Sequence, residues 1–132
     1  LDPYLQPLYD ALRDMIPPKK LQTLMEEGVI QIAPLAYMRG RTLEKAFVIL
    51  DEAQNTSIGQ LKMFLTRMGF DAKFIVTGDA SQIDLPNKRD SGLEKGVELL
   101  KGIKGVSVIN FTREDIVRHP LVSKIVDAFE KG

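Results

Sequence analysis

A chain of 132 residues with zero formal net charge, 44% hydrophobic and 27% charged residues has the composition of one folded domain or a part of one. That mix excludes disordered and fibrous proteins, and no apolar run approaches the roughly 20 residues of a membrane span, so we expect no membrane partner. The absence of cysteine excludes a disulfide framework and a thiolate site, and favours a cytoplasmic protein. Because nucleic-acid-binding domains are often strongly basic, the neutral net charge leaves only a local basic surface for such a partner.

Apolar spacing and proline positions predict two helices at the start of the chain. The first has apolar residues at helical intervals and ends before Pro17-Pro18, and the second runs over residues 19–27 and ends at Gly28. Residues 29–33 and 35–38 are short segments with the composition of strands.

A strand, a helix and a second strand are predicted next. Residues 46–50 have the pattern of a buried parallel strand, and Ser57 with Gln60 forms a capping-box pair that begins a helix closed by Gly69. Residues 72–77 are the second apolar run. This order predicts a right-handed βαβ unit and an α/β fold with a mainly parallel sheet.

The last third of the chain predicts one more strand between two helices. Ser91 and Glu94 have capping-box spacing for a helix that extends to Lys101. Residues 106–111 form a third apolar run, and residues 121–129 have the spacing of a final amphipathic helix.

Polar residues of similar kinds follow the two strands of the βαβ unit. The first strand ends on Asp51 and Glu52, and the second is followed by Gly78, Asp79 and Gln82. Because parallel strands deliver their carboxyl ends to one edge of a sheet, we expect these side chains to meet there. The adjacent carboxylates suit a phosphate-bound Mg²⁺, with Asp51 binding the metal and Glu52 acting on the attacking water. This pattern is typical of the hydrolytic half of a P-loop nucleoside triphosphatase.

Structural explanations compete with these assignments. A helix dipole alone would favour Asp51 and Glu52 near a helix N-terminus. After the second strand, Gly78 permits close approach of the backbone to a ligand, and Gln82 can donate or accept a hydrogen bond with a γ-phosphate. Asp79 and Ser81 can equally bond their own backbone in a turn. The two strand ends together favour the functional explanation, although nothing in the 132 residues matches a glycine-rich phosphate loop.

Basic residues supply further candidates. Arg118 precedes the last helix and can meet a phosphate as a forked cation, or pair with Glu114 or Asp115 at the surface. Arg39 and Arg41 lie in one turn and can contact a nucleic-acid backbone, or be ordinary solvated surface.

Three motifs stand in a recognisable order: Asp-Glu-Ala-Gln-Asn at 51–55, Thr-Gly-Asp-Ala-Ser-Gln-Ile-Asp-Leu-Pro at 77–86, and Asp-Ile-Val-Arg-His-Pro-Leu-Val at 115–122. With the opening residues 2–12 and the segment 39–43, this order resembles the PhoH-like family of phosphate-starvation-inducible ATPases. The resemblance covers essentially the whole chain, and the combined motifs are far more specific than any one of them.

The resemblance implies a P-loop NTPase fold of the RecA and helicase type, with three layers and a mainly parallel sheet. Residues 1–132 would be the C-terminal part of a single such domain, without its N-terminal phosphate-loop segment. We therefore expect these residues alone to be inactive and to bind ATP weakly or not at all. The resemblance also implies ATP and Mg²⁺ as cofactors and RNA as a partner, and leaves assembly into a homo-oligomer open.

The site residues follow from the same resemblance. Asp51 and Glu52 match the Walker B acids, and the second motif matches the helicase Gly-Asp-x-x-Gln motif, which places Gly78, Asp79 and Gln82 at the nucleotide. Arg118 falls where such helicases carry an arginine that meets the γ-phosphate. Glu52, Gln82 and Arg118 are thus the implied catalytic residues.

The leading hypothesis is Mg²⁺-dependent ATP binding and hydrolysis in the complete protein, coupled to RNA binding or unwinding. One alternative is a non-catalytic RNA-binding module that keeps the fold. Another is a metal-dependent ribonuclease with Asp51, Glu52 and Asp79 as metal ligands. A glycine-rich Lys-Ser/Thr loop encoded upstream in the parent gene would favour the enzyme over the module.

Overall fold

A computed structural model describes residues 5–132, so residues 2–4 of the family-like opening segment lie outside the described part. The chain divides into two compact units, one that ends at Leu99 and one formed by Leu100–Gly132. That residues 1–132 belong to a single domain stays a prediction.

The two helices predicted at the start of the chain are confirmed as α1 (Gln6–Met15) and α2 (Pro18–Glu26). Ile16 ends α1 in an extended conformation, as expected for a residue that precedes a proline. Pro18 occupies the first turn of α2, where its missing N–H costs nothing. Gly28, at φ +74°, follows the end of that helix.

The prediction of short strands between α2 and the sheet is wrong. Leu35–Met38 is a short 3₁₀ helix, and residues 29–33 form no strand. The backbone N–H groups of Val29 and Ile30 donate to the carbonyl of Leu24, at 2.9 and 3.2 Å. These donors close the end of α2, so they are not available for a ladder with a neighbouring strand.

The sheet of the first unit consists of two parallel strands, β1 (Phe47–Leu50) and β2 (Lys73–Val76). In their register Phe47 lies opposite Lys73 and Leu50 opposite Val76. The helix α3 (Ile58–Leu65) lies between them in the chain, which confirms the predicted strand–helix–strand order and the parallel sheet.

The predicted capping box begins α3. The hydroxyl oxygen of Ser57 accepts from the N–H of Gln60 (3.1 Å), and the Gln60 side chain accepts from the Ser57 N–H (2.9 Å). The helix ends at Leu65, earlier than predicted. Gly69 does not cap it, because its N–H donates to the carbonyl of Leu43 (2.8 Å).

Within the described residues, α3 covers one face of the sheet. Leu61 and Phe64 of α3 are buried, and the Phe64 ring packs on that of Phe74 in β2 with 5.1 Å between centroids. On the other face Phe47 is 80% and Ile49 62% exposed. The prediction of a buried strand is therefore correct for one face only.

The fourth helix, α4 (Leu93–Leu100), starts where two segments touch. The N–H of Gly92 donates to the carbonyl of Thr56 (2.7 Å), and the Gly92 carbonyl accepts the first helical bond from Gly96 (2.8 Å). A Cβ at position 92 would overlap the backbone of Ile58, so the close approach requires glycine. Because Gly92 precedes the helix, α4 begins one residue later than the predicted capping box of Ser91 requires.

The second unit contains the predicted final helix, α5 (Pro120–Lys131). His119 caps it, because its Nδ1 accepts from the N–H of Leu121 (3.0 Å). The strand predicted at residues 106–111 is not formed, since that segment makes no ladder in the described structure. No residue of this unit is buried. Among all described residues, no helix has the length and apolar character needed to cross a membrane.

Candidate phosphate-site edge of the sheet

The hydrogen bonds between β1 and β2 continue beyond the ends of both strands. The N–H of Thr77 donates to the carbonyl of Leu50 (3.0 Å), and the N–H of Ala53 donates to the carbonyl of Thr77 (2.9 Å). These bonds hold the residues after β1 beside the residues after β2. The structure thus brings Asp51 and Glu52 to the same sheet edge as the loop that begins at Gly78.

Asp51 carries an exposed carboxylate with one oxygen held in place. Its Oδ1 accepts from the Thr77 hydroxyl at 3.0 Å, across the two strands. A side chain fixed through one oxygen keeps its direction while the second oxygen can bind a ligand. No motif in the sequence predicts a role for Thr77, although a hydroxyl residue directly after the second strand is a signal for this contact.

Glu52 has a left-handed backbone conformation, with φ 55° and ψ 41°. For a residue with a side chain this costs about 1–2 kcal/mol. This left-handed conformation turns the chain sharply from β1 into the 3₁₀ helix Ala53–Asn55. Strained residues held by their surroundings are common at functional sites, where they fix a side chain that an ordinary strand would direct elsewhere.

Gln54 is fully buried, at 0% exposure, directly behind Glu52. Its Nε2 donates to the Glu52 carboxylate and to the backbone carbonyl of Gln82 (3.4 Å). Its Oε1 accepts from the backbone N–H of Asp79 (3.1 Å). One side chain therefore contacts the residues that follow both strands, a role that no motif in the sequence predicts.

The neighbouring amide anchors the same loop further along. Asn55 accepts a hydrogen bond from the backbone N–H of Asp84 (2.7 Å) through its Oδ1. Gly78 allows the approach of Gln54, because a Cβ there would lie 3.0 Å from its Oε1 and 3.1 Å from its backbone nitrogen. The loop of residues 78–84 is thus bound by two adjacent amide side chains. The signal in the sequence is an amide pair between an apolar strand and a capping box.

Asp79 accepts hydrogen bonds within its own turn, as the structural explanation for this residue predicts. Its Oδ1 accepts from the Ser81 hydroxyl (2.7 Å) and from the Ser81 backbone N–H (2.9 Å). These bonds, the hydroxyl first, lower the pKa of the Asp79 carboxyl from its usual value, and slight desolvation opposes them. Asp79 is therefore ionised at neutral pH and shapes the loop.

The remaining predicted residues are exposed. The side-chain amide of Gln82 forms no hydrogen bond with the residues that the structure describes. Arg118 is exposed in the second unit and forms no ion pair with residues 5–132, so neither Glu114 nor Asp115 pairs with it. Arg39 and Arg41 are exposed in the turn before β1, where Arg41 reaches Gln31 at 3.5 Å.

The carboxylates do not form a metal-binding group by themselves. Within residues 5–132, no three His, Cys, Asp or Glu side chains converge on one point. A hard carboxylate oxygen such as that of Asp51 nevertheless fits Mg²⁺, which usually takes one or two protein carboxylates and completes its shell with water and phosphate. The ribonuclease alternative, which needs several converging carboxylates, gains no support from this arrangement.

Comparison with known proteins agrees with the resemblance in the motifs. The family model described as "PhoH-like protein" matches residues 1–130. A PhoH-like protein of Bacillus subtilis (strain 168) is 61% identical over 131 residues, which are 99% of this chain and 41% of the relative. One from Synechocystis sp. is 58% identical over 132 residues, 100% of this chain and 40% of the relative.

A more distant relative, Protein PhoH of Escherichia coli (strain K12), is 44% identical over 129 residues, with 96% of this chain and 36% of the relative covered. The chain thus spans about two fifths of the length of the relatives it matches. Since the family model covers all but the last two residues, the chain belongs to the PhoH-like protein family.

Proposed function

We propose that the complete protein binds Mg²⁺–ATP and hydrolyses it, as a P-loop ATPase of which residues 1–132 form the C-terminal part of one domain. The observation that carries this proposal is the sheet edge where Asp51 and Glu52 meet the loop of residues 78–84. Membership of the PhoH-like family supports a nucleotide-related function. Parallel α/β sheets bind ligands at this edge, beyond the carboxyl ends of their strands.

Each residue of the edge has a chemical role in this proposal. Asp51, oriented by Thr77, would hold the metal, which supplies charge neutralisation at the phosphates when bound. Glu52 would orient and deprotonate the attacking water. Gly78 and Asp79 would shape the loop beside the nucleotide, and the exposed amide of Gln82 would contact the γ-phosphate as donor or acceptor.

The proposal extends to residues outside the edge. Arg118 would place a forked cation on the γ-phosphate, where it stabilises the charge of the transferring group. RNA would be the polymer partner, contacted through its backbone by the exposed residues Arg39 and Arg41. A cytoplasmic location belongs to the same proposal, and homo-oligomeric assembly is compatible with it.

Steady-state ATPase assays and Mg²⁺–ATP binding measurements on the complete protein test the separate roles proposed for Asp51 and Glu52. Glu52→Gln should keep Mg²⁺–ATP affinity and lose most turnover, because an amide of the same size cannot accept the proton. Asp51→Asn should instead weaken Mg²⁺-dependent ATP affinity by at least about tenfold, which corresponds to about 1.4 kcal/mol.

The wild-type protein measured without Mg²⁺ is the control for both variants. Wild-type protein without Mg²⁺-dependent ATPase activity would refute the proposed function. Equal residual turnover in the two variants would leave the ATPase intact but contradict the separate roles of the two acids.

A further inference from the structure

We propose that Gln54 is a positioning residue that couples the orientation of Glu52 to the conformation of the loop at residues 78–82. This inference rests on the proposed ATPase function, and it concerns a residue that would touch neither nucleotide nor metal. Gln54 would act through Glu52, by holding the carboxylate that works on the water.

The direction of the Gln54 amide is determined by its partners. The backbone N–H of Asp79 can only donate, so the atom that faces it at 3.1 Å must be the oxygen Oε1. The oxygens of the Glu52 carboxylate and of the Gln82 carbonyl accept hydrogen bonds, so both groups must face Nε2. The opposite orientation would set donor against donor and acceptor against acceptor. The amide therefore has one orientation in which all three bonds form.

Because Gln54 is buried, the loss of any of its three hydrogen bonds leaves a polar group without a partner. Gln54 is 0% exposed, so water cannot replace a lost partner, and no side-chain nitrogen or oxygen buried within the described residues lacks one. Glu52, by contrast, is exposed and would otherwise be free to rotate in solvent. The bond from Nε2 links its carboxylate to a side chain that cannot turn. A strained backbone and a buried donor thus orient the same carboxylate.

The two other bonds of Gln54 go to the loop that would report on the γ-phosphate. They bind two backbone groups of this loop, the N–H of Asp79 and the carbonyl of Gln82. A shift of the Asp79 N–H or the Gln82 carbonyl would move the Gln54 amide group, because each of them is bonded to it. The same amide group donates to Glu52 through Nε2, so the Glu52 carboxylate would move as well. Contact between Gln82 and a phosphate would therefore be transmitted to Glu52 through a single amide group.

The test compares Gln54→Met with Thr56→Val in the complete protein. Methionine keeps the length and volume of glutamine but makes none of its three bonds. Thr56 is a matched control, because it is also buried, at 6% exposure, and among the described residues its hydroxyl bonds only the carbonyl of Ala53 (2.6 Å). Gln54→Met should lower kcat at least about tenfold while the Kd for Mg²⁺–ATP changes less than about threefold. Thr56→Val should keep kcat within about twofold of wild type.

A double-mutant cycle with Glu52→Gln separates positioning from general destabilisation. If Gln54 acts through the Glu52 carboxylate, then Gln54→Met should change single-turnover rates by less than about twofold once that carboxylate is gone. A loss of the same size in both backgrounds would assign Gln54 a structural role only and overturn the inference. Wild-type kcat in Gln54→Met would also overturn it, with the ATPase function unaffected.

If Gln54→Met does not fold, Gln54→Asn serves in the same assays. Asparagine keeps the amide group but is one methylene group shorter, so it cannot bond Glu52 and both loop atoms at once, and kcat should fall at least about tenfold with Mg²⁺–ATP affinity retained. Unchanged kcat would refute the inference alone. Absence of ATPase activity in the wild-type protein would refute the proposed function together with it.

Discussion

The two units of the chain hold their candidate residues by different means. In the first unit, the strand-end residues are connected by hydrogen bonds to a buried amide and to each other, next to a core that includes Phe64. In the second unit no residue is buried, and large apolar side chains such as Val117 (98%) and Phe129 (82%) are exposed. Arg118 lies in this second setting, without an ion pair among the described residues.

Because of this difference, we expect mutations in the two units to affect the free energy of unfolding and the ATP turnover differently. A site residue that is held by buried contacts contributes to stability and to activity, so its replacement should change both quantities. An exposed residue without such contacts can be replaced with little effect on folding. Substitutions in the two units should therefore give different combinations of kinetic and thermodynamic change.

The largest expected effect concerns Arg118. In the complete protein Arg118→Lys and Arg118→Ala should both lower ATP turnover at least tenfold, since arginine fingers contribute up to about 10³–10⁵ in rate. Lysine should not rescue, because it keeps the charge and loses the planar fork. The free energy of unfolding should change by about 0.5 kcal/mol or less, as is usual for such a surface position.

Steady-state ATPase assays and calorimetric unfolding of the same preparations give both quantities. Wild-type turnover in Arg118→Lys would remove Arg118 from the site. A large loss of stability in either variant would contradict the distinction between the two units.

A substitution at Gly78 should, unlike one at Arg118, lower the stability of the protein, because an added side chain disturbs the buried contacts of Gln54. An added Cβ would lie 2.7 Å from Leu93 Cδ2 and close to both the backbone and the amide of Gln54. Gly78→Ala should therefore destabilise the protein by about 1–3 kcal/mol in urea unfolding, the usual range for overpacking.

Gly59→Ala is the matched control for that experiment. Gly59 is the second residue of α3, and among the described residues an added Cβ meets only the Ser57 hydroxyl at 3.9 Å, an ordinary contact. Alanine there should stabilise by about 0.5 kcal/mol or less, because the preference of a helix for alanine over glycine is greatest in the helix interior. A Gly78→Ala variant as stable as wild type would mean that the loop is not packed against Gln54.

The smallest expected effect is the pH response of Asp79. Its pKa is lowered by the Ser81 hydroxyl and N–H, so the stabilisation from these bonds is present above the unfolded-state pKa and lost as pH falls through the folded-state pKa. Ser81→Ala removes the larger contribution and should raise the Asp79 pKa towards its usual value. NMR titration of the carboxyl carbon measures this change, and an unaltered pKa would show that the hydroxyl bond does not form in solution.

Local sequence patterns determined the helices and the positions of the site acids. The spacing of apolar residues and prolines predicts α1, α2 and α5, and the pair Ser57 and Gln60 predicts the start of α3. These signals work because the interactions behind them join residues three or four positions apart. The paired ends of β1 and β2 followed from one general rule about parallel sheets.

Only the tertiary structure decided what Gln54 does and which segments become strands. Its bonds to Asp79 and Gln82 span 25 and 28 residues of sequence, and no local pattern reports such a contact. Residues 106–111 have strand composition but form no strand, because a strand exists only where a neighbouring chain segment supplies hydrogen-bond partners. Residue type and spacing thus determined the elements and the acids, whereas the partners of buried polar groups depended on how distant segments meet.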